Sequence, residues 1–141
     1  MNTMARDIKY EDIHVGDTAS LSKTITEHDV YSYAGVTGDF NPVHVNKEFA
    51  SRSMFKQRIA HGMISAGLIS AVLGTELPGI NTIYMNQQLN FLAPVFYGDT
   101  LTATVECKEK NDEKHRILFK TTVVNQDGRV VTNGEARVMK R

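Results

Sequence analysis

A single cysteine, Cys107, is present among 141 residues. No intrachain disulfide can form, so a fold stapled by cross-links is excluded. Neither sign of charge is in excess, because 16 Lys and Arg balance 16 Asp and Glu. A zero formal net charge leaves no electrostatic footprint for nucleic acid or for a membrane surface. Local basic residues can still meet an anionic ligand. No apolar run is long enough to cross a bilayer. The longest, from about Ile64 to Leu73, is too short and too rich in Ser and Gly. The opening stretch, Met1 to Tyr10, carries Arg6, Asp7 and Lys9 and has no apolar run, unlike a secretory signal. Linkers, repeats and low-complexity segments are lacking too. The length fits one domain, residues 1–141. The expected setting is the cytoplasm, and a lone thiol fits a reducing compartment.

The most informative segment is Thr37-Gly38-Asp39-Phe40-Asn41-Pro42-Val43-His44. A carboxylate and an imidazole flank an Asn-Pro pair, which favours a turn and disfavours helix before Pro42. A loop of this kind can aim Asp39 and His44 at one point. Gly38 removes bulk beside the acid and permits unusual backbone angles. An acid–base pair on a stiffened loop is what moving a proton from water to carbon requires.

Upstream, residues from about Asp17 to Ile25 read as a strand. Thr26 then caps a helix, and Asp29 completes a capping box. That helix runs through Val30, Tyr33 and Ala34 to the Gly38-Asp39 loop, and Lys47 to Arg52 suggests a second short helix. Met63 to Leu73 is apolar or small on every side, which predicts a helix buried all round. Gly74 and Pro78 are expected to end it. The last third is strand-like. Ile83, Met85, Leu89 and Phe91 alternate with polar residues, as do Leu101, Ala103, Val105 and Cys107. Cys107 thus shares a buried strand face, which assigns it to packing. Ile117, Phe119, Thr121 and Val123 form another run, Asn125 to Gly128 a turn, and Val130 to Met139 a closing strand. The pattern predicts an α+β fold, an antiparallel β-sheet wrapped around a long central helix.

Ala60-His61-Gly62-Met63 marks the start of that helix. Unpaired N–H groups there lie at the positive end of the helix dipole and suit an oxygen that becomes negative during reaction. Gly62 would let a substrate approach the backbone. His61 reads as a residue that shapes the helix start rather than one that transfers protons. Ser65, one turn inside, either faces the ligand or packs. His44 and Glu48 are four apart, yet no third ligand follows at matching spacing, so no metal is expected.

The chain resembles the MaoC-like (R)-specific enoyl-CoA hydratases, the hydratase 2 type, over nearly its whole length. The resemblance lies in Tyr10-Glu-Asp-Ile-His-Val-Gly16-Asp17, in Tyr33-Ala-Gly-Val-Thr-Gly-Asp39-Phe-Asn41-Pro42-Val-His44, in Ala60-His61-Gly62-Met63 and in Asn90-Phe91-Leu-Ala-Pro94-Val-Phe-Tyr-Gly98-Asp99-Thr-Leu101. It implies a hot-dog fold and a homodimer, or dimer of dimers, whose sheets join edge to edge. It implies catalysis by Asp39 and His44, with a backbone N–H near Gly62 holding the thioester carbonyl. Asn41 matches a polar motif position that holds either the loop or the water. Among these positions Asn41, His61, Gly62, Met63 and Ser65 are the candidate substrate-binding residues.

The implied reaction is reversible addition of water to a trans-2-enoyl-CoA, giving the (R)-3-hydroxyacyl-CoA, with acyl-CoA as substrate and no cofactor. Asp39 takes a proton from water, and His44 orients the water and delivers a proton to C2, although sequence does not fix which residue does which half. Rival readings on the same fold are a 3-hydroxyacyl-carrier-protein dehydratase, a thioesterase and a non-catalytic acyl-CoA-binding subunit. Arg52, Lys56 and Arg58 either meet the CoA phosphates or form a solvated basic loop.

Overall fold

A computed structural model describes residues 4–141; the first three residues of the Met1–Tyr10 stretch lie outside the described residues. Five strands form one sheet: β1 (Thr18–Thr24), β2 (Thr82–Phe91), β3 (Thr100–Asn111), β4 (Arg116–Val124) and β5 (Val130–Lys140). Their order is β1-β3-β4-β5-β2, and every neighbouring pair is antiparallel. Among the described residues four α-helices accompany them: α1 (Glu27–Thr37), α2 (Pro42–Val45), α3 (Lys47–Ser51) and α4 (Met63–Thr75). The sheet curls around α4, which is the hot-dog architecture.

Alternation builds the core. Leu101, Ala103, Val105 and Cys107 of β3 are fully buried, as are Phe119 and Val123 of β4 and Val131, Ala136 and Val138 of β5. They pack with Leu68, Ile69, Val72 and Leu73 of α4. Each fully buried aliphatic side chain contributes about 1.5–3 kcal/mol. Burial raises the Cys107 thiol pKa, in keeping with a packing role.

Three expectations need correction. The helix α4 is not buried all round within one chain. Met63, Gly67, Ser70 and Gly74 lie exposed along one side. A helix that is apolar on every face carries no directional signal, so its free side could not be read from the pattern. It also runs past Gly74 to Thr75. The single alternation from Ile83 to Phe91 is also broken, because a bulge between Tyr84 and Asn86 shifts the register. Ile83 and Met85 are exposed, whereas Leu89 packs against the core.

Candidate functional site

The acid loop is built locally. Thr26 and Asp29 form the expected capping box at the start of α1. At its end Gly38 takes φ +81° and donates its N–H to Ala34 O, which turns the chain out of the helix. Thr37 Oγ1 accepts the Asp39 N–H at 3.1 Å, and Asp39 Oδ1 accepts the Asn41 N–H at 3.2 Å. Asn41 is not helical; its Oδ1 accepts the Val43 N–H at 3.2 Å and caps α2, with Pro42 in the first turn. Asn41 thus holds the loop. His44 rides on a one-turn helix rather than on an extended turn, because proline is tolerated at a first helical position.

The fold then brings a second imidazole to the pair. His61 is 3% exposed, and its ring centroid lies 3.9 Å from that of His44 and 4.5 Å from that of Tyr33. Its Nε2 lies 2.9 Å from Asp39 O. A carbonyl only accepts, so Nε2 carries the proton. By the same reasoning His44 Nδ1–H donates to Ile59 O at 2.8 Å, which leaves His44 Nε2 as an acceptor. One ligating atom each from Asp39, His44 and His61 lies within 4.8 Å of the others. That spacing admits one water bridging two acceptors at ordinary hydrogen-bond lengths. Sequence spacing offered His44 no third potential metal ligand. The fold supplies one, 17 residues after His44.

Burial, the largest influence, holds the His44 pKa below its ordinary value. Nearby His61 acts the same way, while the bond to Ile59 O and the charge of Asp39 oppose. The imidazole is therefore neutral near pH 7, with a free lone pair on Nε2.

Around His44 lies a cavity of about 310 Å³ lined by Ile59, Ala60, Gly62, Ser65 and Phe91. Ser65 is buried and faces this cavity. Among the described residues the N–H groups of Gly62 and Met63 have no hydrogen-bond acceptor. They form the free N-terminus of α4. A Cβ placed on Gly62 would come within 2.9 Å of Phe91 Cδ1, so the close approach that Gly62 permits is made here by Phe91. Phe91 also borders an apolar groove of about 540 Å³ lined by Tyr33, Met63, Ala66, Gly67 and Ser70. Met63 is half exposed at its mouth.

Arg58 is turned inward. It donates to Tyr31 Oη and Glu27 Oε2, and its guanidinium lies over the Tyr97 ring. Its guanidinium is thus already hydrogen-bonded within the protein. Among the described residues the side chains of Arg52 and Lys56 have no hydrogen-bond or ion-pair partner. Sequence reasoning missed Tyr31 and Tyr97, and the only hint was the place of Tyr97 in the segment from Asn90 to Leu101.

A family model for the MaoC like domain matches residues 14–128. The chain belongs to the MaoC-like domain family. It is 55% identical over 130 residues to an (R)-specific enoyl-CoA hydratase of Rhodospirillum rubrum, covering 92% of this chain and 90% of that protein. A 3-hydroxybutyryl-CoA dehydratase of Methylorubrum extorquens is 47% identical, with 94% and 84% covered. Among solved structures, the unliganded R-hydratase PhaJ1 of Pseudomonas aeruginosa superposes with a TM-score of 0.93 at 44% identity, covering 96% of this chain and 87% of that one.

Proposed function

We infer that this MaoC-like protein is an (R)-specific enoyl-CoA hydratase, a hydro-lyase that adds water reversibly to trans-2-enoyl-CoA. The observation that carries this reading is the meeting of Asp39 and His44 across a gap sized for one water, beside free N–H groups at the start of α4. The water donates to the Asp39 carboxylate and to His44 Nε2, which leaves an oxygen lone pair for C3. As the C3–O bond forms, the dyad takes a proton from the water. The C2–C3 π pair moves toward the thioester oxygen, which the Gly62 and Met63 N–H groups stabilise. The proton is returned to C2 as the carbonyl re-forms, so the sum is one water added. Such acid–base help is worth roughly 10²–10⁴-fold. The oxyanion donors are worth roughly 10²–10³-fold.

In this reading His61 is a brace. Its Nε2–H fixes the Asp39 backbone and its ring backs that of His44, so its contact with substrate is indirect. Gly62, Ser65 and Met63 line the path of the acyl thioester, and Asn41 holds the loop.

Neither metal nor organic cofactor takes part. Both imidazoles donate one N–H to a carbonyl, as metal-bound histidines often do, so the triad is a fair test of this claim. Full activity after chelation supports it; activity lost with EDTA and restored by a divalent ion contradicts it. A second copy of the chain completes the assembly. Support comes from the edge position of β2 and the exposed Ile83, Tyr84, Met85 and Phe91 along it. A monomer by light scattering at micromolar concentration would refute that arrangement. No helix is long and apolar enough to cross a membrane among the described residues. The cytoplasm is the proposed site of action.

The deciding experiment is chiral analysis of the product from crotonyl-CoA. The (R)-3-hydroxy thioester is expected. Free CoA thiol would indicate thioester hydrolysis, and turnover only with carrier-protein thioesters would indicate the dehydratase rival.

A further inference from the structure

The carbonyl end of α2 is held from outside by two tyrosines. Tyr31 Oη, on α1, donates to Val45 O at 2.6 Å, and Tyr97 Oη donates to His44 O. A helix of one turn has no internal partners for its last carbonyls. These two hydroxyls supply them at His44 and at the residue after it. Arg58 joins both tyrosines. Its Nη1 donates to Tyr31 Oη at 3.1 Å, and its guanidinium carbon lies 4.6 Å from the centre of the Tyr97 ring. Its Nη2 is 3.3 Å from Glu27 Oε2, and its side chain is 20% exposed. The next residue closes the circuit. Ile59 O accepts the His44 Nδ1–H, and Ile59 N–H donates to Val43 O at 3.2 Å.

His44 is therefore fixed at its ring and at its own carbonyl, while α2 is fixed at Val43 and Val45. Every one of these contacts comes from Arg58, from its neighbour Ile59 or from a tyrosine that Arg58 touches. The guanidinium donates to Tyr31 and Glu27 from two separate nitrogens while its carbon sits over the Tyr97 ring. A lysine has a single nitrogen to divide among these three partners.

We propose that Arg58, Tyr31 and Tyr97 form a positioning clamp that sets where His44 Nε2 points. None of the three lines the cavity around His44. They act through His44 and touch no reacting atom, so they are positioning residues. The proposal rests on the reading of His44 as a member of the dyad.

The test compares Tyr31→Phe, Tyr97→Phe, the double tyrosine variant, Arg58→Lys and His44→Ala. Phenylalanine keeps the ring and loses only the hydroxyl. The double variant should fold, keep a nearly normal KM and lose roughly 10- to 100-fold in kcat, the scale of a misplacement near 1 Å. Arg58→Lys should lose kcat in the same way. Added to the double variant it should cost little more, because the clamp acts as one unit. A readout independent of activity is the His44 Nδ1–H proton resonance. It should be slow to exchange in the native protein and fast in the double variant. Normal kcat in a folded double variant, beside an inactive His44→Ala, would overturn the clamp alone. A kcat loss with an unchanged Nδ1–H resonance would also overturn it. Normal turnover by His44→Ala would overturn the dyad reading and the clamp with it.

Discussion

Gly62→Ala separates the chemistry of this site from its stability. The added methyl would lie 2.9 Å from Cδ1 and 3.0 Å from Cε1 of Phe91. Overpacking of that kind costs about 1–3 kcal/mol. The lower end applies here, because the crowded atoms are side-chain ring atoms and that ring borders two cavities. On the other side of the balance, Gly62 has helical angles, φ −56° and ψ −36°. Alanine in such a conformation is favoured over glycine by about 0.5–1 kcal/mol. The two effects nearly cancel, and the melting temperature should move by less than about 5 °C. Turnover should respond far more. The displaced ring has the cavity beside His44 and Ser65 to move into, and the methyl crowds the N–H groups that the proposed mechanism offers to the thioester oxygen. Loss of one such donor costs roughly 10²–10³-fold. The assay is the fall in ultraviolet absorbance of the conjugated thioester as crotonyl-CoA is hydrated, alongside a thermal melt. An unchanged kcat/KM would refute close approach of substrate at Gly62. A large fall in melting temperature would show that the glycine serves packing instead.

The acid side of the pH profile reports on His44. Its folded pKa lies below the ordinary imidazole value, so kcat/KM should fall as pH drops through a point under about 6.5. The unfolded chain binds that proton first, so stability should also fall as pH is lowered from the ordinary value through the folded one. Both effects should vanish in His44→Gln, and an acid limb that persists there would assign it to another group. His61→Phe keeps a ring against His44 and Tyr33 but loses the bond to Asp39 O, a net loss of about 0.5–1.5 kcal/mol. Its kcat should fall while KM holds, and a normal kcat would remove the brace from the account.

The parts of the site that local sequence chemistry dictates were legible. Thr26 and Asp29 announce α1, Gly38 announces its exit, and Asn41-Pro42 announces the bend that carries Asp39 and His44. Strict alternation revealed the buried faces of β3 and β4. What stayed hidden depends on tertiary packing. His61 reaches the dyad from across the fold, and nothing in its own neighbourhood says that its Nε2–H will meet Asp39 O. The exposed side of α4 could not be read because an apolar helix has no polar face to contrast with it. The bulge in β2 inserts a residue without a glycine or proline to mark it. Arg58 sits beside Lys56 in a basic loop, and only the fold shows that it turns inward to two tyrosines.

The central claim is that Asp39 and His44 work on one water. Its most direct test is a double-mutant cycle of Asp39→Asn and His44→Ala in enoyl-CoA hydration. Asparagine keeps the size of aspartate but cannot take a proton near neutral pH. Each single variant should remain folded and lose several orders of magnitude in kcat with KM changed far less, and the double variant should lose little beyond either one. Near-normal turnover by a well-folded Asp39→Asn protein, or losses that simply multiply in the double variant, would contradict the account.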